Sequence, residues 1–114
     1  MDVDVETYET AGVLVVRLQG DMDGYTAPLI EEQIQPYIAE QQRVLLDMQH
    51  VHYLSSAGLR LLLILYRQIT GRGGQVALTG LSDLIADTMN NTGFLDFFAS
   101  YDTLEAGLLA LQSD

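Results

Sequence analysis

The sequence predicts an α/β fold built on a mainly parallel sheet that opens with an antiparallel hairpin. From about residue 26 onward, short β-branched and apolar runs alternate with longer stretches of helical periodicity. The first two runs are instead separated by a few residues around Gly12, which suits a hairpin turn. The run at 43–48 is mostly apolar and bounded by polar residues, as expected of a buried central strand.

Each element has its own signal. Residues 3–8 alternate valine with acidic residues, the pattern of a half-exposed strand, and residues 13–19 are β-branched and apolar with Arg17 near the end. Residues 20–24 hold two glycines and two aspartates and read as a loop. Pro28 suits the first turn of a helix, and Leu29, Ile30, Ile34, Tyr37 and Ile38 keep a helical stripe to about residue 40. Pro36 inside that stripe should kink or shorten the helix. After the strand at 43–48, residues 49–53 read as a connection to a helix at 56–70, which Gly71 and the Gly73-Gly74 pair end. A strand at 75–79 follows, and Gly80-Leu81-Ser82 opens a helix to about residue 90. Residues 94–99 form a short strand or turn, and Asp102 is expected to cap a last helix through 111.

Composition bounds the function. The 114 residues make one domain, 1–114, and 48% hydrophobic with 18% charged residues describes an ordinary globular chain. Sixteen acids against five arginines, with no lysine, give a net charge of −11. Such a surface repels nucleic-acid phosphates and anionic headgroups, so direct nucleic-acid binding is not expected. The same charge could steer a basic partner, or serve solubility alone. The absence of cysteine removes thiolate chemistry and fits a reducing, cytoplasmic setting. Residues 1–6 are acidic and unlike a secretory signal, and the apolar run at 61–66 is too short to insert in a membrane.

Catalytic constellations fail on inspection. His50 and His52 lie two apart near Asp47, without a third histidine or a thiolate, so no metal site is expected. A Ser56–His52–Asp47 triad lacks the G-x-S-x-G turn of a hydrolase nucleophile. The glycine-rich segment 71–74 follows a helix and precedes a strand, the reverse of a phosphate cradle. No cofactor is expected and the chain does not read as an enzyme.

The informative segment is Tyr53-Leu54-Ser55-Ser56-Ala57-Gly58-Leu59-Arg60. It places two hydroxyls at the mouth of a helix, where unpaired N–H groups and the helix dipole stabilise a phosphate. Either a serine here is a phosphorylation switch or the pair is only a helix cap. Along the helix, Leu59, Leu62, Leu63, Tyr66 and Ile69 form a stripe expected to pack on the sheet. Arg60, Ile64 and Arg67 lie roughly opposite, with Ala57 and Leu61 beside them. Ile64 between two arginines marks either an interaction surface or a scattered exposed apolar residue.

Several motifs resemble those of STAS domains, the fold of bacterial anti-sigma factor antagonists. Gly20-Asp21-Met22-Asp23 followed by Thr26-Ala27 is similar to the family's G-E-L-D…T-A segment. The strand at 44–47 and the segment 51–59 resemble its strand and D-S-[ST]-G-L phosphorylation motif. Gly73-Gly74, Leu78 and Asn91-Thr92-Gly93-Phe94 resemble later parts, so the likeness runs in order through essentially the whole chain. It implies a four- to five-stranded sheet with helices largely on one face. It also implies partner switching: an antagonist binds an anti-sigma factor that is a serine kinase of GHKL type, phosphorylation of a serine abolishes binding, and a cognate phosphatase restores it. Ser56 falls at the phosphorylated position, with Ser55, in place of the family aspartate, as rival. Asp23 aligns with an acidic loop residue near that serine. The expected partner surface joins Asp21, Asp23, Gly24 and Tyr25 to Ser55, Ala57, Arg60, Leu61 and Ile64, and a homodimer is also open to such a domain. A second role implied by the family is that of a non-catalytic subunit docking on the ATPase of a lipid-transport ABC complex.

Overall fold

A computed structural model describes residues 3–112. Met1 and Asp2, at the head of the acidic start, lie outside the described residues. Five strands form one sheet in sequence order: β1 (Val3–Thr10), β2 (Val13–Met22), β3 (Arg43–Leu54), β4 (Gln75–Thr79) and β5 (Ala99–Tyr101). The first pair is antiparallel and the other three are parallel. The hairpin closes through two residues with positive φ, Ala11 at 52° and Gly12 at 80°. Positive φ at both central positions gives the turn whose twist matches that of the flanking strands.

Among the described residues, four helices complete the fold: α1 (Thr26–Ile38), α2 (Ser56–Thr70), α3 (Asp83–Asn91) and α4 (Leu104–Gln112), with a 3-10 turn at Phe94–Asp96. Strand alternation divides the core into two layers. Leu14, Val16 and Leu18 of β2, Val44, Leu46 and Met48 of β3, and Leu78 of β4 pack with α1, α2 and α3. Val13, Val15, Leu45 and Ala77 face the other way and are covered by α4 through Leu111, Leu108 and Leu104. Three helices therefore share one face and the fourth takes the other. Gly107 lets α4 settle there, because a Cβ on it would stand 2.6 Å from Thr79 Cγ2 and 2.8 Å from Leu45 Cδ1.

The structure corrects several sequence expectations. The segment 20–24 is not wholly a loop, since β2 runs through Met22 and only Asp23 to Tyr25 turn. Nor are residues 49–53 a connection: β3 continues to Leu54 alongside β2, which itself runs on to Met22, with register shifts between Arg17/Gln19 and Gly20/Asp21. Those irregularities keep Val51 and Leu54 in the helix-side core, which breaks the simple alternation that marks a strand. Pro36 sits in the last turn of α1, which ends two residues later at Ile38. The last helix is capped by Thr103 rather than Asp102, with Thr103 Oγ1 accepting from Ala106 N–H at 3.1 Å. Residues 94–99 divide between the 3-10 turn and the start of β5.

In α2, Leu59, Leu62 and Ile69 are buried as expected, while Leu63 and Tyr66 are only half-buried. Leu61 and Leu65 are buried in their place, because α1 packs beside α2 and widens its apolar stripe. Gln35 of α1 and Gln68 of α2 exchange two side-chain amide hydrogen bonds, at 2.8 and 2.9 Å, across that contact. Leu62 has no accessible surface, and Leu62→Ala is expected to cost about 2–5 kcal/mol of stability in urea unfolding. A cost below 1 kcal/mol would contradict its place in the core.

Candidate functional site

The site is built where β2 and β3 end side by side. Beyond the last paired residues, Met22 and Leu54, the Ser55 N–H donates to the Met22 carbonyl at 2.9 Å. That bond carries the parallel pairing up to the start of α2. Ser55 is the N-cap, its hydroxyl accepting from the Gly58 N–H at a long 3.4 Å. Ser56 follows as the first helical residue, with an exposed side chain. The two serines thus separate by role, one partly occupied with the helix end and the other facing solvent.

Gly58 fixes how closely α2 approaches the strands. A Cβ there would stand 2.6 Å from Leu54 Cδ1, 2.8 Å from the Met22 carbonyl oxygen and 2.9 Å from Met22 Cβ. The Leu54 tip could move aside, but the backbone carbonyl and Cβ of Met22 could not. Only glycine admits this approach.

On the other side, the turn from β2 into α1 is held by Asp23 and Thr26. Asp23 Oδ1 accepts from the N–H groups of Tyr25 at 2.9 Å and Thr26 at 3.0 Å. Thr26 Oγ1 donates to the Asp21 carbonyl at 2.6 Å and accepts from the Asp23 N–H at 2.9 Å. Thr26 is fully buried, so its hydroxyl needs these partners. The N–H donors of Thr26 and Tyr25 hold the Asp23 carboxyl below the usual carboxylate range.

Between the first turns of α1 and α2 lies an open groove of about 420 Å³, lined by Gly24, Ala27, Pro28, Glu31, Ser56, Ala57, Arg60, Leu61 and Ile64. Of the expected partner surface, Gly24, Ala57, Arg60, Leu61 and Ile64 meet here beside Ser56. Ile64 is 40% exposed, whereas Leu61 is only 3% exposed and lies in the groove wall rather than on an outward face. Asp21, Asp23, Tyr25 and Ser55 do not line the groove. Tyr25 projects into solvent at 87% exposure. Sequence reasoning missed the α1 wall, Ala27, Pro28 and Glu31. The nearest signal in the sequence is the Thr26-Ala27 pair.

The other candidate groups lie elsewhere. Asp47 is buried and faces the α4 side of the sheet, with Arg17 Nε 3.5 Å from its Oδ2 and the Gln49 N–H donating to its Oδ1 at 3.1 Å. That commitment removes it from any triad with Ser56. His50 and His52 are exposed on the extension of β3.

Comparison with known proteins gives a consistent result. The family profile described as STAS domain matches residues 4–107. The anti-sigma F factor antagonist of Paenibacillus polymyxa is 25% identical over 114 residues, covering 98% of this chain and 97% of the relative. Among solved structures, an anti-sigma factor antagonist from Mycobacterium paratuberculosis superposes with a TM-score of 0.90 at 26% identity, covering 98% of this chain and 96% of the other. The Bacillus cell fate determinant SpoIIAA in its phosphorylated form shares the fold, with a TM-score of 0.70 at 17% identity and coverage of 94% and 99%.

The Asp23 turn gives a pH-dependent expectation. A carboxyl whose pKa is lower in the folded than in the unfolded state adds stability above its unfolded pKa, and this is lost as pH falls through the folded one. Asp23→Ala should therefore lower the melting temperature at pH 7, with the gap to wild type shrinking as pH falls below about 4. A gap that stays constant from pH 7 to pH 3 would show that the carboxylate charge plays no part.

Proposed function

The chain belongs to the STAS domain family, and we propose that it acts in the cytoplasm as an anti-sigma factor antagonist switched by phosphorylation of Ser56. The observation that carries this reading is the exposed Ser56 hydroxyl on the first turn of α2, bordering the groove between α1 and α2. Its relatives' names, anti-sigma F factor antagonist among them, support the class of partner. In this reading the unphosphorylated protein docks on an anti-sigma factor of the GHKL serine-kinase type, which inserts contacts into the groove. The chain is the partner and phosphate acceptor, not the catalyst.

Phosphorylation transfers the γ-phosphoryl group of ATP, bound by the kinase, to Ser56 Oγ. An O–P bond forms at serine, the bond from the γ-phosphorus to the β–γ bridging oxygen breaks, ADP leaves and the hydroxyl proton is released. The product carries about −1.5 to −2 charges at neutral pH. The fold accommodates this because a first-turn phosphate faces unpaired backbone N–H groups and the positive end of the helix dipole. A partner covering the groove meets the same phosphate as a bulky anion that must be desolvated, so affinity falls further than stability. A cognate phosphatase reverses the step by hydrolysing the O–P bond.

The test is phosphosite mapping after incubation with the kinase, joined to binding titrations. Ser56→Ala should bind constitutively, since it removes a hydroxyl and adds no charge. Ser56→Asp should lose much of the affinity while melting close to wild type. Phosphate found only on Ser55, or normal binding by Ser56→Asp, would overturn the assignment.

The apolar anchor of the groove is tested separately. Ile64→Glu should weaken partner binding by tenfold or more, on the order of 1.4 kcal/mol, with little change in melting temperature because the side chain is already partly exposed. Unchanged affinity would remove Ile64 from the interface.

A further inference from the structure

We infer that Arg60 is the internal counter-ion of a phosphate on Ser56, so that phosphorylation draws a side chain of α2 across the mouth of the groove. The inference rests on the reading of Ser56 as acceptor and adds the residue that answers the modification. Ser56 and Arg60 stand four residues apart on α2, a spacing that makes them neighbours on adjacent turns of one helix face. Both are exposed and both line the groove, so each can reach the same open space. The anion would be N-terminal to the cation, the better order for such a pair.

The surroundings single out Arg60 among the cations. Among the described residues that line the groove, it is the one cationic side chain. Arg17 is turned to Asp47 on the other face of the sheet, and Arg72 donates to the carbonyls of Ile38 and Gln41 at the end of α1. The remaining charged group in the lining is Glu31 on the α1 wall, with Asp23 in the adjoining turn. Both carboxylates oppose a phosphate, and neither can hold one. A guanidinium can meet phosphate with two parallel N–H donors, which also fixes its direction. Phosphorylation would then act on a partner in two ways: it adds an anion at the helix start, and it withdraws Arg60 from whatever the partner offers to it.

The test uses the full chain with phosphoserine installed at position 56 during translation, so it does not depend on the kinase. The second ionisation of the phosphate is followed by ³¹P NMR against pH in the wild-type background and in Arg60→Gln, Arg60→Lys and Glu31→Gln. The wild-type phosphate should titrate about half a unit or more below that of Arg60→Gln, since a neighbouring cation favours the dianion. Arg60→Lys should restore part of the gap, 1 M salt should narrow it, and Glu31→Gln should lower the value further. Matching titrations in wild type and Arg60→Gln would overturn the counter-ion role and leave the Ser56 switch standing. If the kinase instead leaves Ser56 unmodified while the installed phosphate still shows the gap, the switch fails and the pairing stands.

Discussion

The close approach of α2 to the end of β2, permitted by Gly58, is the constraint on which the site depends. The Met22 carbonyl receives the Ser55 N–H at 2.9 Å and lies 2.8 Å from where a Cβ of residue 58 would stand. One carbonyl therefore both starts the helix and limits its side chains. α1 begins only four residues beyond Met22, after a turn closed by Asp23 and Thr26. Both walls of the groove thus hang from the same strand end. Any side chain at residue 58 would push α2 outward, and Ser56, Arg60 and Ile64 would move with it as one rigid face.

The groove exists because its lining is small near the helix starts. Gly24, Ala27 and Ala57 leave space where larger side chains would have closed the α1–α2 contact. Deeper along the same two helices, Ile30, Ile34, Leu62 and Leu65 are fully packed, and the Gln35–Gln68 amide pair ties the helices together. The helix pair is thus sealed along most of its length and open at one end. That arrangement lets the open end carry polar and charged groups without cost to the core, since Ser56, Arg60 and Glu31 keep access to water.

Much of the fold was legible because local pattern and tertiary context agree. The hairpin, the buried strand at 43–48 and the helix at 56–70 each have a strong periodic or compositional signal. The extension of β3 to Leu54 was not legible, because two register shifts destroy the two-residue period that marks a strand. The periodicity of α2 alone shows one stripe and leaves Leu61 on an outward face. Its burial comes from α1, whose approach no local pattern encodes. The Ala27, Pro28 and Glu31 wall escaped notice for the same reason: about thirty residues separate it from Ser56 in the chain. Small residues that create space carry no hydrophobic signature.

The departure at Ser55 takes on physical meaning in this setting. In the motif that the segment resembles, an aspartate stands before the phosphorylated serine. A carboxylate and a hydroxyl can both accept the N–H that the helix start offers, and here Ser55 does so at 3.4 Å. They differ in charge. With serine at the cap, the position next to Ser56 lacks a fixed anion, while Asp23 keeps its carboxylate occupied by two backbone N–H donors in the adjoining turn. A phosphate on Ser56 would therefore meet less like charge from its own helix end than in the motif with aspartate. Arg60 is one turn along the same helix and has no carboxylate at the cap to divide its attraction. On the proposed reading of Ser56 as acceptor, serine at the cap would favour a phosphate at residue 56 more than aspartate would, while its hydroxyl still accepts the Gly58 N–H at the start of α2.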